Sequence, residues 1–343
     1  MDPSISSTNF FLRAYRGPED HPAMTRVAGA VRAFNGDAAL GTVADMDNHY
    51  AHLEHADLPR DCALVEIDGE VVAYGRASWN ALANGEGQVD GILNIDPAHR
   101  GLGVEDALVD HAIGRAAEII SARGRMARTR VILYVTGNDP HQARVAELRG
   151  MAIVRSGAQL IRPSLDQIPD FPLLSGFEIR PIDRDDRAMH RRIFDADARA
   201  FADSYGQQAP SDAEFDEFIH MPTFNPELWR VAFHGDEIAG QILNYMSEAP
   251  APDGSMIGWT EAISVQPEFR RRGLARALLV ASLRAVRDAG ATAAGLGVDL
   301  QNPNQARALY ESLGFSIVSV ANEFELGPFK PGEVPTIATN HKS

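Results

Sequence analysis

The chain has 343 residues, enough for two ordinary domains, and its 47 acidic and 32 basic residues give a formal net charge of −15. That acidity argues against general nucleic-acid binding, because a phosphate backbone would be repelled. No stretch is long and apolar enough to span a membrane, the first residues lack the features of a signal peptide, and the single Cys62 excludes an internal disulfide framework. We therefore expect a cytoplasmic globular protein with neither a membrane nor a nucleic-acid partner.

Both halves of the chain predict the same order of elements: a strand, helices, three strands, a helix, a strand, a helix and a last strand. In the second half, strands are expected at residues 229–234, 237–245, 256–265, 293–299 and 316–326. Helices are expected there at residues 186–201, 275–290 and 304–314. This alternation predicts a mixed sheet with covered faces. A segment rich in asparagine and glycine, residues 80–87, predicts a long loop.

The two halves can be aligned with a constant offset of 170 residues. The residues that correspond are Pro97 with Pro267, Arg100 with Arg270, Gly103 with Gly273 and Leu108 with Leu278. A repeat of this size predicts two copies of one fold, separated by a proline-rich, aperiodic segment. We expect an N-terminal domain at residues 1–168, a linker at 169–176, a C-terminal domain at 177–327 and a tail at 328–343.

A phosphate-binding turn is predicted in the second half, between an apolar strand and an apolar helix. Residues 270–275 read Arg-Arg-Arg-Gly-Leu-Ala. A strand that turns tightly into a helix leaves the first backbone N–H groups of the helix unpaired and directed at one point. Glycine and alanine do not shield these groups, so a pyrophosphate can bind there, and three arginines add positive charge. The spacings of the dinucleotide and triphosphate motifs are both missing.

Arg270, Gly273 and Ala275 occupy the fixed places of the pattern Gln/Arg-x-x-Gly-x-Gly/Ala, which resembles the coenzyme A (CoA) pyrophosphate loop of the GNAT superfamily of acyl-CoA N-acyltransferases. Further downstream, residues 302–315 end in Leu-Tyr-Glu-Ser-Leu-Gly-Phe, which is similar to the last helix of that family. The resemblance implies an α/β (α+β) protein with two tandem GNAT domains. Each would have a mixed, mainly antiparallel sheet, a splayed pair of central strands and flanking helices.

The same resemblance implies a reaction: an acetyl group passes from acetyl-CoA to the primary amine of a small molecule by direct attack in a ternary complex. It implies a monomer or homodimer and no metal. The acceptor amine is left open, with aminoglycosides as one possibility. A non-catalytic sensor of acyl-CoA is the alternative function.

Two residues are candidates for proton transfer. Glu261 lies on an expected strand face with Trp259, Ile263 and Val265, and a carboxylate among apolar neighbours has a raised pKa that suits a general base. An ion pair with a nearby arginine is the alternative for Glu261. The resemblance places Tyr310 beside the CoA sulfur as the proton donor, and a core tyrosine is the alternative there.

The cofactor-binding candidates lie on the same strand, the turn and the last helix. Backbone N–H groups of Ile263 or Val265 would stabilise the oxyanion. Asn302 or Asn304 would cap the last helix or bind the pantetheine arm. The complete predicted set is Ile263, Val265, Arg270, Arg271, Arg272, Gly273, Leu274, Ala275, Arg276, Asn302 and Asn304.

The first half departs from the pattern at the positions that carry chemistry. Glu105 stands where the second half has Ala275, and Gly91 stands where it has Glu261. The position of Tyr310 falls on Ala146 or Glu147. We therefore expect the C-terminal domain to be catalytic and the N-terminal domain to be a degenerate duplicate.

Two further patterns carry less weight. His49, His52 and His55 could bind zinc, but no HExxH motif or pair of cysteines accompanies them, and a polar surface helix explains the pattern. Acidic and aromatic residues within 186–216 predict either a substrate pocket or a solvated helix face.

Overall fold

A computed structural model describes residues 9–37, 41–82, 84–123, 128–136, 139–202, 210–251, 253–301 and 306–336. The strands are β1 (Phe11–Ala14), β2 (Cys62–Ile67), β3 (Glu70–Ala81), β4 (Gly87–Ile95), β5 (Thr129–Thr136), β6 (Ala152–Arg162), β7 (Glu178–Arg180), β8 (Arg230–His234), β9 (Glu237–Met246), β10 (Ile257–Val265), β11 (Ala293–Asp299) and β12 (Ser316–Phe329). The helices are α1 (His21–Asn35), α2 (Val43–Ala51), α3 (Leu58–Asp61), α4 (Val104–Arg123), α5 (Pro140–Leu148), α6 (Arg187–Ala200), α7 (Asp212–Ile219), α8 (Leu274–Asp288) and α9 (Ala306–Ser312). None of the helices in these ranges is both long and apolar enough to cross a bilayer.

The chain folds into two compact units, and the last strand of each half of the sequence pairs within the unit that the other half builds. Unit 1 takes the described residues within 1–36, 40–156 and 320–343, and unit 2 takes those within 37–39 and 157–319. Residues 157–162 of β6 pair with β11 of unit 2, whereas residues 321–329 of β12 pair with β5 of unit 1. A division of the sequence near residue 170 therefore differs from the division of the fold.

Unit 1 contains the strand order β1-β2-β3-β4-β5-β12. Its pairs are antiparallel except for the parallel pair β4 and β5. The apolar face of α4, with Leu108 and Ile113, packs on this sheet together with Leu93, Leu133 and Phe324. Phe324 is 1% exposed, so β12 supplies part of the core of unit 1.

Unit 2 contains the strand order β6-β11-β10-β9-β8-β7, and its pairs are antiparallel except for the parallel pair β10 and β11. Helix α8 packs closely on β10, because a Cβ at Gly258 would lie 2.4 Å from Cβ of Val286. Leu278, Leu279 and Leu283 of α8 are fully buried. Mixed, mainly antiparallel sheets with flanking helices agree with the predicted fold class.

The elements predicted in the second half lie close to the observed ones. Three local differences from the sequence analysis stand out, one in the first half and two in the second. β3 extends to Ala81 and β4 begins at Gly87, so the connection predicted over residues 80–87 is a short turn. Helix α7, which the sequence analysis did not separate, follows a capping box at Ser211 and Glu214. β12 continues to Phe329, beyond the strand end expected at residue 326.

Candidate active site

The parallel strands β10 and β11 separate halfway along their length. Their pairing runs only from Ile257 to Trp259 on β10, and Trp259 is paired with Gly295. At the next position the hydroxyl of Thr260 donates to the carbonyl oxygen of Gly295 at 3.1 Å. Beyond Thr260 the two strands are not paired with each other, so backbone groups of β10 border a cleft.

A bulge in β10 lies where the strands separate. Ala262 has a φ of 49°, in the left-handed region, and the register with β9 shifts between Glu261 and Ser264. One extra residue reverses the alternation of side chains beyond it. Glu261 and Ser264 therefore share one face of the sheet, and Val265 points to the other. The expectation that Glu261, Ile263 and Val265 share a face was wrong, because the sequence pattern assumed a regular strand.

A cavity of about 530 Å³ occupies the cleft, a size typical of small-molecule sites. Its walls come from the end of α6, β10, the turn before α8, β11 and α9. The lining residues are Ala200, Phe201, Glu261, Ala262, Ile263, Ser264, Val265, Phe269, Arg270, Arg271, Gly273, Leu274, Ala275, Arg276, Gly297, Val298, Asp299, Ala306, Leu309 and Tyr310. Both candidates for proton transfer thus border the same space as the predicted phosphate-binding turn.

Glu261 is half-buried at the cavity wall. Burial raises the pKa of its carboxyl to about 7, against the opposing effect of a hydrogen bond from the backbone N–H of Gly297. Across the part of the chain that the structure describes, Glu261 forms no ion pair with an arginine. The carboxyl is therefore near half-ionised at neutral pH, which suits a general base.

Tyr310 lies on α9 and is 5% exposed. Burial, with a further contribution from the negative charge of Glu261, raises the pKa of its phenol. The phenol therefore keeps its proton at neutral pH. A protonated hydroxyl beside the cavity can donate a proton to a leaving group.

The turn before α8 has the form expected of a phosphate-binding site. Gly273 has a φ of 88° and lies at the N-cap of α8, and no side chain caps the helix there. Arg271 also has a positive φ, of 61°, and both Arg271 and Arg272 are exposed. The first N–H groups of α8 are thus left to a ligand, with two positive side chains beside them.

Arg270 and Arg276 are both held by protein groups. The guanidinium of Arg270 donates from Nε to the carbonyl oxygen of Val265 at 3.0 Å and from Nη2 to that of Ala200 at 2.6 Å. Arg276 donates to the hydroxyl of Ser312 at 2.9 Å. These four arginines therefore divide into an exposed pair, Arg271 and Arg272, and a half-buried pair held by the bonds just described.

The proline-rich segment that the sequence suggested was a linker packs against the turn. A Cβ at Gly273 would lie 3.4 Å from Cζ of Phe171, and the guanidinium of Arg276 lies 5.7 Å from the centre of the Phe171 ring. Asp170 forms an ion pair of 2.8 Å with Arg284 on α8. An isolated aromatic residue among prolines was the only sequence signal for this contact.

Helix α6 carries a second carboxyl with a raised pKa. Burial raises the pKa of Asp197 to about 6, while Ser264 and Gln241 act in the opposite direction. Gln241 and Ser264 are themselves buried in the sheet under α6. Asp197 is not among the residues that line the cavity, so it belongs to the packing of α6 on β9 and β10.

The acidic and aromatic segment 186–216 packs internally where it is described. Phe194 and Phe215 have ring centres 5.5 Å apart, and Arg191 pairs with Asp195 at 2.9 Å. These contacts agree with a helix face stabilised by ion pairs. Asn302 and Asn304 lie outside the described residues.

The histidines of α2 make protein contacts. Nε2 of His49 lies 3.0 Å from Nη2 of Arg76, and Nδ1 of His52 lies 2.8 Å from the carbonyl oxygen of Asn48. Within the described ranges, no group of three or more histidine, cysteine or acidic side chains is placed to hold a metal ion.

The counterpart of the cleft in unit 1 is shorter. The parallel pairing of β4 with β5 continues to Ile92 and Tyr134, three residue pairs beyond the place where β10 and β11 separate. The pairing of β4 with β3 is regular throughout, so the bulge of β10 has no equivalent here. Gly91, at the position of Glu261, is inside the paired stretch.

The counterpart of the phosphate-binding turn in unit 1 is occupied by the protein itself. The backbone N–H of Gly101 donates to Oε1 of Glu105 at 2.7 Å, and Glu105 is 1% exposed. Arg100, the counterpart of Arg270, pairs with Asp139 at 2.9 Å. A buried carboxylate thus sits where an anionic ligand would bind.

The comparisons with known proteins agree with this geometry. A family model described as Acetyltransferase (GNAT) family matches residues 191–315. A mycothiol acetyltransferase of Thermobispora bispora is 31% identical over 233 residues, which cover 66% of this chain and 72% of the relative. A mycothiol acetyltransferase of Streptomyces scabiei is 27% identical over 291 residues, which cover 81% of this chain and 86% of the relative.

Two solved structures share the fold over nearly the whole chain. A GCN5-related N-acetyltransferase from Sphaerobacter thermophilus aligns with a TM-score of 0.68 at 24% identity and covers 95% of this chain and 97% of its own. A tandem GNAT protein from the clavulanic acid biosynthesis pathway aligns with a TM-score of 0.61 at 18% identity. This alignment covers 94% of this chain and 99% of the tandem protein. The predicted tandem fold is thereby confirmed.

Proposed function

Because the chain belongs to the GNAT family of acetyltransferases, we propose that it transfers an acetyl group from acetyl-CoA to the primary amine of a small molecule, in the cavity of unit 2. The observation that carries this proposal is the arrangement around one cavity of Glu261, Tyr310 and the uncapped N-terminus of α8. These three features supply a base, an acid and an anion-binding site.

The proposed reaction begins with acetyl-CoA in the cavity. Its pyrophosphate binds the N–H groups at the start of α8, and its pantetheine arm lies in the cleft between β10 and β11. Glu261 accepts a proton from the substrate ammonium, directly or through water, and the free amine attacks the thioester carbonyl carbon. Backbone N–H groups of Ile263 or Val265 stabilise the oxyanion of the tetrahedral intermediate.

Collapse of that intermediate completes the transfer. The carbon–sulfur bond breaks, the amide product keeps the acetyl group, and the thiolate of CoA takes a proton from Tyr310. The nitrogen loses its second proton, which returns through water to the phenolate of Tyr310. The products are the amide, the thiol of CoA and the proton that Glu261 took from the ammonium.

The relatives suggest which acceptor to test first. Both are named mycothiol acetyltransferases, so we propose the amine from which mycothiol is made by acetylation as the first candidate. In the test, purified protein is incubated with acetyl-CoA and a panel of amines that includes this one and aminoglycosides. Free thiol release and the mass of the acetylated product are then measured. We expect thiol and product in equal amounts, whereas acetyl-CoA binding without thiol release with any amine would favour a sensor.

We also propose that acetyl-CoA binds only in unit 2. Three features of unit 1 support this: its cleft is shorter, Gly91 replaces the base, and Glu105 occupies the phosphate-binding turn. Native mass spectrometry and calorimetry with CoA should give one molecule bound per chain. Two molecules per chain would contradict the proposal.

A further inference from the structure

Three side chains attach α6 to β9, to the residue that follows β10 and to the phosphate-binding turn. Each donates a hydrogen bond to a backbone carbonyl oxygen of α6, and the acceptors are spaced along one face of the helix. The pairs are Gln241 with Ile193 at 3.2 Å, Gln266 with Ala196 at 2.7 Å and Arg270 with Ala200 at 2.6 Å. Side chains from β9, from the residue after β10 and from the phosphate-binding turn therefore hold this face of α6 in place.

The last of these contacts lies at the end of α6 and at the wall of the cavity. The carbonyl of Ala200 belongs to the final turn, whose carbonyl groups have no partner within a helix, and a cation is favourable there. Ala200 and Phe201 both line the cavity. Arg270 thus holds the end of the helix that forms one wall of the cavity, by donating to the carbonyl oxygen of Ala200. We place the amine acceptor against this wall and call this part of the cavity the acceptor space.

The same guanidinium is bound to the strand and belongs to the turn. Its Nε donates to Val265, the last residue of β10, and Arg270 itself is the first residue of the turn that would hold the pyrophosphate. Two of its three nitrogens are therefore engaged with the protein. A phosphate contact from Arg270 would have to compete with these bonds.

We infer that Arg270 is a positioning residue that couples occupation of the phosphate-binding turn to the last turn of α6. When CoA binds the N–H groups after Arg270, it fixes the turn, and through Arg270 it fixes the wall of the acceptor space. Because coupling between two sites is reciprocal, an acceptor held by that wall strengthens CoA binding by the same factor. This inference rests on the proposed function, since it assumes that acetyl-CoA and the acceptor share the cavity.

The counterpart in unit 1 lacks this arrangement. Arg100 pairs with the carboxylate of Asp139, at the N-cap of α5, and its guanidinium lies 4.8 Å from the centre of the Phe34 ring in the last turn of α1. It therefore contacts the end of α1 through an aromatic ring, whereas Arg270 donates a hydrogen bond to a carbonyl oxygen of α6.

The test is hydrogen exchange followed by mass spectrometry, with and without CoA, on the full chain. In the wild-type protein, CoA should slow exchange both at the start of α8 and in the last turn of α6. In Arg270→Met, the last turn of α6 should exchange about tenfold faster without CoA, as expected for the loss of one charge-assisted hydrogen bond, and CoA should slow only α8. The Kd of CoA should change by less than about threefold.

Arg287→Met is the control. It removes a positive charge from α8, but Arg287 is exposed, pairs with Asp288 at 2.7 Å and does not line the cavity. Exchange in α6 and its response to CoA should stay as in the wild type. Arg270→Lys keeps the charge and can keep one of the two bonds, so it should restore part of the response if Arg270→Met unfolds.

Steady-state kinetics of Arg270→Met should agree with the hydrogen exchange. At saturating acetyl-CoA, Arg270→Met should raise the KM of the acceptor about tenfold. Because the coupling is reciprocal, the KM of acetyl-CoA at saturating acceptor should rise by a similar factor, while the Kd of CoA alone changes little. Weaker CoA binding with an unchanged α6 and unchanged acceptor KM would make Arg270 a phosphate ligand and overturn the inference. If CoA slows exchange in α8 but not in α6 of the wild-type protein, the coupling alone is overturned. If CoA slows exchange in neither helix, the proposed function is overturned as well.

Discussion

Glu261 is the residue whose environment most directly suggests chemistry. Its side chain is half-buried at the cavity wall, its partner is a backbone N–H rather than a cation, and its pKa is raised to about 7. A structural ion pair would lower the pKa of a carboxyl instead. Among the described residues, the surroundings of Glu261 thus argue against an ion pair and favour the proposed general base.

Glu261→Gln should change the pH dependence of the rate. The wild-type rate should rise with pH through about 7 as the carboxylate forms. The variant keeps the size and the hydrogen-bonding capacity of the side chain but loses its basicity. Its rate should fall about 10²-fold at neutral pH and partly recover at higher pH, where free amine is abundant. A profile of unchanged shape would leave water as the proton acceptor.

The stability of the same variant should vary with pH in a defined direction. The folded state keeps the Glu261 proton between the ordinary pKa of 4.5 and about 7, where the unfolded chain has lost it. The contribution of this carboxyl to stability is therefore present below pH 4.5 and lost as the pH rises to 7. Glutamine does not titrate, so the melting temperature of Glu261→Gln relative to wild type should rise across this range.

Tyr310→Phe removes one hydroxyl and keeps the ring. Tyr310 contacts Phe315, with ring centres 6.3 Å apart, so the packing should survive. If the hydroxyl protonates the thiolate, turnover should fall about 10²-fold while the Kd of acetyl-CoA changes little. Unaltered turnover under conditions where chemistry limits the rate would assign Tyr310 to the core.

Gly273→Asp tests the phosphate-binding turn, and Gly103→Asp is its matched control. The φ angles of these glycines are 88° and 86°, so the backbone strain of the two substitutions should be similar. Only at Gly273 should the new carboxylate repel the pyrophosphate, which should weaken CoA binding by roughly 10- to 100-fold. Equal losses at the two positions in calorimetry would contradict the assignment of the site to unit 2.

At the scale of elements, the bulge of β10 decides where the chemistry can take place. It turns Glu261 and Ser264 to one face and ends the regular alternation of the strand. Alternation of apolar residues predicted the strand itself, but not the bulge. The residue with positive φ is Ala262 rather than a glycine, so the sequence gives no local sign of it. The turn before α8, by contrast, is signalled by Gly273, and its position was predictable.

Two substitutions at Ala262 should separate the role of the bulge from packing. Valine is strongly disfavoured at a φ of 49°, so Ala262→Val should lower the free energy of unfolding by about 1–2 kcal/mol and reduce turnover more than tenfold. Ala262→Gly tolerates the same φ and should keep turnover within about twofold. Thermal unfolding and steady-state kinetics measure both effects. Full activity in Ala262→Val would show that the bulge does not position Glu261.

At the scale of the whole molecule, the repeat predicted two copies of one fold but not the exchange of their last strands. β6 and β12 occupy the same place in two equivalent sheets. The alternation of apolar side chains in each strand would therefore fit the edge of β5 as well as that of β11. Local hydrophobic periodicity therefore cannot distinguish exchange from separate domains. The long-range pairs of β6 with β11 and of β12 with β5 make the distinction.

Phe324→Ala and Leu160→Ala test the exchange of the last strands. Each substitution lies in one repeat and should loosen the unit that the other repeat mainly builds. Phe324 lies in the second repeat but is buried in the core of unit 1, and Leu160 lies in the first repeat but pairs with Leu296 of unit 2. Each substitution should cost roughly 2–5 kcal/mol, since a large buried side chain is truncated. In hydrogen exchange, Phe324→Ala should release protection in β4 and β5, and Leu160→Ala should release it in β10 and β11. If each change instead loosened the strands of its own repeat, the units would follow the sequence halves and the exchange would be contradicted.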